Sequence, residues 1–566
     1  MEKATEDADA TKRRSGQVLE NGDQISILSH YLGVGEGIGR RASVCIGARF
    51  RVHRGALPYA SRRASVRVEA RFRYASRRAS GTRRGALQVR VEARCRYASS
   101  PKGIRVRVQD MEEARLRCAF QTWRVDAHVK PVQIPSRKKV SSEGGDMEAE
   151  SDKLGSLPGQ PHVSFQQFGG YVTIDEKQGR ALFYYFVEAV TDPTASKPLV
   201  LWLTGGPGCS SLGGGAFMEH GPFRPRGNTL LRNKHSWNRE ANMLYVESPA
   251  GVGFSYSRNK SFYDDINDEV TARDNLAFLE GWFMKFPKYR NRELFITGES
   301  YAGHYVPQLA QLVINSGKNF NLKGILIGNP LLEFDTDMNA QGDFFWSHGL
   351  ISDSTHALLT STCNYSQIMR WVYNISESLS PECYEVYNKS AGEIGGSVDP
   401  FDVLGDKCLS SEEVCLTDEV DAYLNRKDVQ KSLHAQLVGT PNWTLCYPDS
   451  AHFLKDAVIP SINVVEWLVR SGIRASVYSG DQDSRMSLFG TRSLLEGLAK
   501  KLKLKTTVPY RNWFEKKQVG GWTQVYGDIL SFATIRGGSH TAPISQPARS
   551  LALFTAFLEG KPLPDA

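Results

Sequence analysis

Ser300 stands in the hexapeptide Gly298-Glu299-Ser300-Tyr301-Ala302-Gly303, with one small residue two positions before it and another two positions after it. The apolar run Glu293–Thr297 leads in, and a segment with helical spacing leads out. A strand that turns sharply into a helix on small residues lifts a serine hydroxyl clear of the backbone, with a helix N-terminus behind it. Such a hydroxyl attacks a carbonyl once a neighbouring base takes its proton, and the base works best when an acid fixes its tautomer. Of the twelve histidines, only His540 lies beyond residue 452, in the loop RGGSH after the apolar run Leu530–Ile535. Upstream, Arg474–Ser479 ends in Gly480-Asp481-Gln482-Asp483, which offers two candidate acids. His304, one helical turn after Ser300, is the rival base, but it points along the helix and reads as structural.

These loops need a sheet to hold them. Gly170–Thr173 and Ala181–Val187 read as a hairpin. Pro198–Leu203 is a short apolar run ending at Gly205–Gly208, the pattern of a buried strand, and Asn242–Val246 and Leu322–Ile327 are similar. Helical spacing covers Asp268–Phe286, which Pro287 ends, and recurs at Thr491–Leu502 and Pro547–Leu558. Strands alternating with helices predict an α/β fold: a mostly parallel central sheet with helices on both faces. The alternation fails between 335 and 450, so that stretch reads as a cap inserted into a core made of 151–334 and 451–566.

Charge separates the first 150 residues from the rest. They hold 31 Lys and Arg against 17 Asp and Glu, whereas the remainder holds 39 against 44. Seventeen arginines and two acids lie between Arg40 and Arg96. YASRRAS occurs at Tyr59–Ser65 and Tyr74–Ser80, and RVEARFRYAS at Arg67–Ser76 returns with one change at Arg90–Ser99. The two spacings, 15 and 23 residues, disagree, so no repeat architecture follows. Self-repulsion and few large apolar residues argue against a packed core. The readings are a disordered basic tail, a translated stretch of repetitive non-coding DNA, or a nucleic-acid-binding arm. No nucleic acid is expected for the acidic remainder. The opening residues are polar, with no secretory signal visible at Met1, and no apolar run reaches the roughly eighteen residues of a membrane span.

Nine cysteines are present: Cys45, Cys95 and Cys118 in the basic segment, and Cys209, Cys363, Cys383, Cys408, Cys415 and Cys446 beyond it. Five of the latter six fall between 363 and 446, which suits a disulfide-stapled insertion in an oxidising compartment; reduced structural cysteines are the alternative. Six cysteines allow about fifteen pairings. N-glycosylation sequons begin at Asn259, Asn364, Asn374, Asn388 and Asn442, and support the secreted reading.

LWLTGGPGCSSLG (Leu201–Gly213), ESPAGVGFSYS (Glu247–Ser257), GESYAGHYVPQ (Gly298–Gln308), YSGDQDS and RGGSH together resemble the serine carboxypeptidases, and more closely the plant serine carboxypeptidase-like proteins. The resemblance spans about 160–563 and leaves residues 1–150 uncovered. It implies an α/β-hydrolase fold with a disulfide-bearing cap. It implies Ser300 as nucleophile, Asp483 rather than Asp481 as the acid, and His540 as the base. Backbone N–H groups of Gly206 and Tyr301 would form the oxyanion hole. Glu299, with Thr204 and Gly205, would hold the substrate's C-terminal carboxylate. A carboxyl facing a carboxylate must keep its proton, so an acidic pH optimum is expected. The family pattern pairs Cys209 with Cys446, Cys363 with Cys383, and Cys408 with Cys415. The implied substrates are peptide or protein C-termini, with no metal, cofactor or membrane. The implied setting is a secreted or vacuolar monomer or homodimer.

Three stretches depart from that pattern. Thr204 stands where the family has Asn, which predicts weaker carboxylate binding and a raised KM. Arg485, Met486 and Ser487 replace a Val/Ile-Pro stretch, placing a cation near the acid, and Thr541-Ala542 follow His540. Such changes leave room for a poorly active member. An acyltransferase drawing on sugar-ester donors is the rival enzyme, though Glu299 rather than Asp favours the peptidase. A non-catalytic binding protein has no reason to keep Ser300, Asp483 and His540.

Overall fold

Apolar runs too short for helices become the inner strands of one mixed sheet. The computed structural model describes residues 47–51, 69–76, 83–88, 149–190, 197–376, 378–409, 414–447 and 450–565. The chain divides into two compact units, Met1–Ser136 and Arg137–Ala566. In the first, β1 (Gly47–Arg51), β2 (Glu69–Ser76) and β3 (Arg83–Gln88) pair antiparallel in that order. The tail and nucleic-acid-arm readings otherwise concern residues outside those described.

The second unit begins with the hairpin β4 (Gln167–Asp175) and β5 (Arg180–Val187), then β6 (Leu199–Leu203). A small hairpin, β7 (Phe223–Arg226) and β8 (Thr229–Arg232), stands apart. Next come β9 (Asn242–Val246), β10 (Tyr256–Ser257), β11 (Leu294–Glu299), β12 (Leu322–Gly328) and β13 (Arg474–Gly480). β14 (Thr506–Glu515), β15 (Gln518–Tyr526) and β16 (Leu530–Ile535) complete the sheet. Its order is β10-β5-β9-β6-β11-β12-β13-β16-β15-β14, with β4 beside β5. The stretch β9-β6-β11-β12-β13-β16 is parallel throughout, and both edges are antiparallel. The long hairpin β14–β15 has no counterpart in the sequence reading. Its residues mix exposed, half-buried and buried positions and mingle polar groups with aromatics, so neither an apolar run nor a clean alternation announces it.

Strand side chains alternate between two cores. Leu201, Leu203, Ile296 and Ile325 face one side, where the helices Asp268–Lys285 and Ala302–Asn315 lie. Val200, Trp202, Phe295 and Leu326 face the other, beneath the helix Pro547–Glu559. There Phe554 stacks on Trp237 at 4.0 Å. Between β12 and β13 the chain runs through helices Phe334–Ser347, Asp353–Ser361, Tyr365–Val372, Pro381–Ile394, Leu416–Leu424, Lys427–Ser432 and Ile462–Arg470. This crossover contains the stretch expected to be a cap.

Cys209 is bonded to Cys446 across 237 residues, fastening the glycine-rich loop after β6 to the far end of that crossover. Cys408 is bonded to Cys415. The expected Cys363–Cys383 bridge is not formed, and both residues are buried thiols. Burial and the adjacent Cys383 push the Cys363 thiol up to about 12.

Candidate active site

The site collects at the C-terminal ends of β11, β12, β13 and β16, where an open α/β sheet presents its loops. Ser300 follows β11 with φ +62°, a left-handed conformation that costs a non-glycine residue about 1–3 kcal/mol. Its surroundings dictate that turn. A Cβ on Gly298 would lie 2.3 Å from Leu203 O, and one on Gly303 would lie 2.3 Å from Leu331 O. Ser300 N donates to Gly328 O at 2.9 Å, and its carbonyl accepts from Gly303 N at 2.9 Å and Leu331 N at 3.1 Å. Ala302, where a glycine is more usual, is fully buried against Gly298 without displacing it.

Asp483 is wholly buried. Its Oδ2 lies 2.6 Å from His540 Nδ1, and its Oδ1 accepts from Arg485 N at 2.8 Å and Met486 N at 3.2 Å. A carboxylate only accepts, so His540 Nδ1 carries the proton and Nε2 is the ring's acceptor. Asp481, the other candidate, spends its carboxylate on Gly537 N at 2.6 Å and Gln482 Nε2 at 3.1 Å. Asn329, unforeseen from the sequence, ties the loops together from the end of β12. Its Oδ1 accepts from Gly480 N at 2.8 Å, and its Nδ2 donates to His540 O at 2.5 Å. His304 lies buried in the first turn of the helix Ala302–Asn315, its Nδ1 2.8 Å from Asp268 Oδ2 and its ring stacked on Tyr301, which suits a structural role.

The glycine-rich loop after β6 packs directly on this turn. A Cβ on Gly205 would sit 2.4 Å from Tyr301 N and 2.7 Å from Glu299 O, so only glycine permits the approach. Gly206 follows at φ +106°. Loop backbone therefore meets Tyr301, the N-cap of the helix Ala302–Asn315, with no side chain between them.

Beside Ser300 lie two carboxyls where the sequence suggested one. Glu299 and Glu219 are both buried, 2% and 1% exposed. Burial, and then the facing carboxyl of Glu219, raise the Glu299 pKa well above the ordinary range. Burial raises Glu219 as well. Glu219 ends the π-helix Leu212–Glu219, and sequence reasoning missed it. A lone acid at the end of the apolar, glycine-rich LGGGAFME is the signal that could have found it. Thr204 Oγ1 accepts from Trp202 Nε1 at 2.9 Å, which turns its hydroxyl proton away from the indole. Thr204 and Glu219 meet over Gly214, whose Cβ position is 3.3 Å from Thr204 Cγ2 and 3.6 Å from Glu219 Oε1. Arg485 does not aim its charge at Asp483. Its guanidinium lies 5.6 Å from the Phe401 ring centre and hydrogen-bonds Tyr373.

A parallel inner sheet, a strained serine after β11 and a buried acid–histidine pair after β13 and β16 define an α/β hydrolase. The serine carboxypeptidase family matches residues 158–560, and the chain belongs to that family. It is 57% identical over 436 residues to serine carboxypeptidase-like 45 of Arabidopsis thaliana, covering 74% of this chain and 94% of that one. Identity to serine carboxypeptidase-like 44 of the same plant is 46% over 440 residues, covering 73% and 91%. Among solved structures, the fold is shared with the prohormone-processing carboxypeptidase Kex1 of Saccharomyces cerevisiae. That match has a TM-score of 0.60 and 24% identity, and covers 73% of this chain and 96% of that one.

Proposed function

We propose that the protein is a serine-type carboxypeptidase that removes C-terminal residues from peptides through an acyl-enzyme at acidic pH. The Glu299–Glu219 pair beside the nucleophile carries this reading. Two buried carboxyls with raised pKa values keep protons, and a protonated carboxyl donates a hydrogen bond to a substrate carboxylate. Thr204 and the backbone of Gly205 complete that subsite. His540 Nε2 takes the proton of Ser300 as its Oγ attacks the scissile carbonyl, and Asp483 holds the imidazole upright. The N–H groups of Gly206 and Tyr301 receive the oxyanion, a pair of aimed donors worth several kcal/mol. His540 then gives the proton to the leaving amine. Water, activated by the same histidine, attacks the ester, and Ser300 recovers its proton as the acid product leaves.

Secretion or vacuolar delivery accompanies this reading. The two disulfides fit an oxidising compartment, and Asn259, Asn364, Asn374, Asn388 and Asn442 are all exposed and open to glycosylation. No helix among the described residues is long and apolar enough to cross a membrane.

The test is hydrolysis of an N-blocked dipeptide from about pH 4 to 8 by protein secreted from a eukaryotic host, beside Ser300→Ala. Activity with an acidic optimum, absent from the variant, supports the peptidase. A folded product that ignores peptides but consumes a glucose ester overturns it in favour of acyl transfer.

A further inference from the structure

Arg224 lies in β7 between the buried Phe223 and Pro225. Its Nη2 donates to Glu219 O at 3.0 Å and to Pro543 O at 3.4 Å. One guanidinium thus spans the end of the π-helix that carries Glu219 and the stretch that follows His540. Its Nε is buried and meets no acceptor among the described residues. A brace for those carbonyls does not require an arginine. Asn233 Nδ2 already donates to Glu219 O at 3.2 Å and to Gly221 O at 3.0 Å. Burying a guanidinium forfeits solvation, and an Nε without an acceptor adds to the loss. What arginine supplies beyond an amide is a permanent positive charge.

That charge stands beside the Glu219–Glu299 pair. Burial pushes the Glu219 carboxyl up to about 7, while Glu299, His540 and Arg224 each pull it down. In return, Glu219 supports the charge of Arg224 against its own burial. The other titratable groups facing the pair are His540 and Asp483 from the catalytic loops, Tyr245 from β9 and Tyr478 from β13. His540 is neutral when it acts as base, so Arg224 is the permanent cation in this company. Resting on the carboxypeptidase reading above, the pair must hold its protons to receive a substrate carboxylate, and a nearby cation favours their release. We propose that Arg224 is a positioning residue for the carboxylate subsite: it fixes Glu219 against the histidine loop and, through its charge, sets the pH at which the pair stops accepting a substrate carboxylate. It acts through Glu219 and not on the reacting atoms.

The test measures kcat and KM from about pH 4 to 9 for an N-blocked dipeptide and its C-terminal amide, with Arg224→Met, Arg224→Gln and Arg224→Lys beside the wild type. Removing a cation raises the pH at which a neighbouring carboxyl ionises. For Arg224→Met and Arg224→Gln, the rise in KM for the free acid should therefore move up by about one pH unit, with the amide profile unmoved. Arg224→Lys keeps the charge and should keep the wild-type midpoint. Glutamine retains a donor for Glu219 O, so the comparison of Gln with Lys carries the test should the methionine variant fail to fold. A brace alone predicts a different pattern, in which kcat falls for both substrates and the midpoint stays. That result, or an equal displacement in Arg224→Lys, overturns the assignment of Arg224 while leaving the peptidase intact. A wild-type protein that cleaves neither substrate overturns the carboxypeptidase reading and this assignment with it.

Discussion

Asp483 and Glu299 are equally buried carboxyls, 0% and 2% exposed, held in opposite company. Asp483 accepts from three N–H groups, one of them on His540. Glu299 faces a second acid, Glu219, and its pKa is driven well up by burial and by that neighbour. Burial alone therefore does not decide what a carboxyl can do. Donors suit the first to orient a base, and a like neighbour suits the second to keep a proton and donate it. Glu247 stands between the two. It accepts from Phe254 N at 2.6 Å, Ser210 Oγ at 2.5 Å and Trp443 Nε1 at 3.0 Å, yet burial still pushes it up to about 7.

The contrast can be broken most severely at its first member. Asp483→Asn should lower kcat by roughly 10⁴-fold with little change in KM, because His540 then loses its proton-holding partner. Steady-state kinetics on one dipeptide decides it, and a loss seated in KM instead would contradict the assignment. Stability sharpens the second half. Glu247 and Asp337 each have folded pKa values raised to about 7, so the folded state holds those protons longer than the unfolded chain does. Stability is then fullest at acidic pH and declines as pH rises from about 4.5 to 7, by about 3 kcal/mol for Glu247 alone. Thermal melts at about pH 5 and pH 8 should show the lower Tm at pH 8, with Glu247→Gln narrowing the gap. A Tm that climbs with pH would contradict the raised carboxyls. Glu299→Ala should raise KM for a dipeptide roughly tenfold or more at acidic pH, as loss of a hydrogen bond to a charged group does, with a smaller change in kcat. Thr204→Asn is the mildest change, lowering KM by a few-fold if the extra amide donor reaches the carboxylate.

Much of this was legible in the residues. The strands Asn242–Val246 and Leu530–Ile535 appear where apolar runs place them, because parallel inner strands are buried on both faces. The Gly298–Gly303 turn was legible because its backbone tolerates only small side chains at two fixed positions. Asp481 and Asp483 could not be told apart locally, since the choice depends on which one meets a histidine 57 residues away. Glu219 and Asn329 were hidden for the same reason. Their partners come from other strands, and neither sits in a pattern that local spacing reveals. The Cys363–Cys383 bridge came from the family pattern, and it is the one pairing the structure leaves as thiols.

The most direct measurement is the pH dependence of kcat/KM for an N-blocked dipeptide and for its C-terminal amide, between about pH 4 and 8. On the proposed subsite, the free acid needs a protonated Glu299–Glu219 pair and the amide does not. The free acid should therefore lose efficiency as pH rises, chiefly through KM, while the amide shows no such loss. Parallel profiles for the two substrates would contradict a carboxylate subsite built on proton-bearing glutamates.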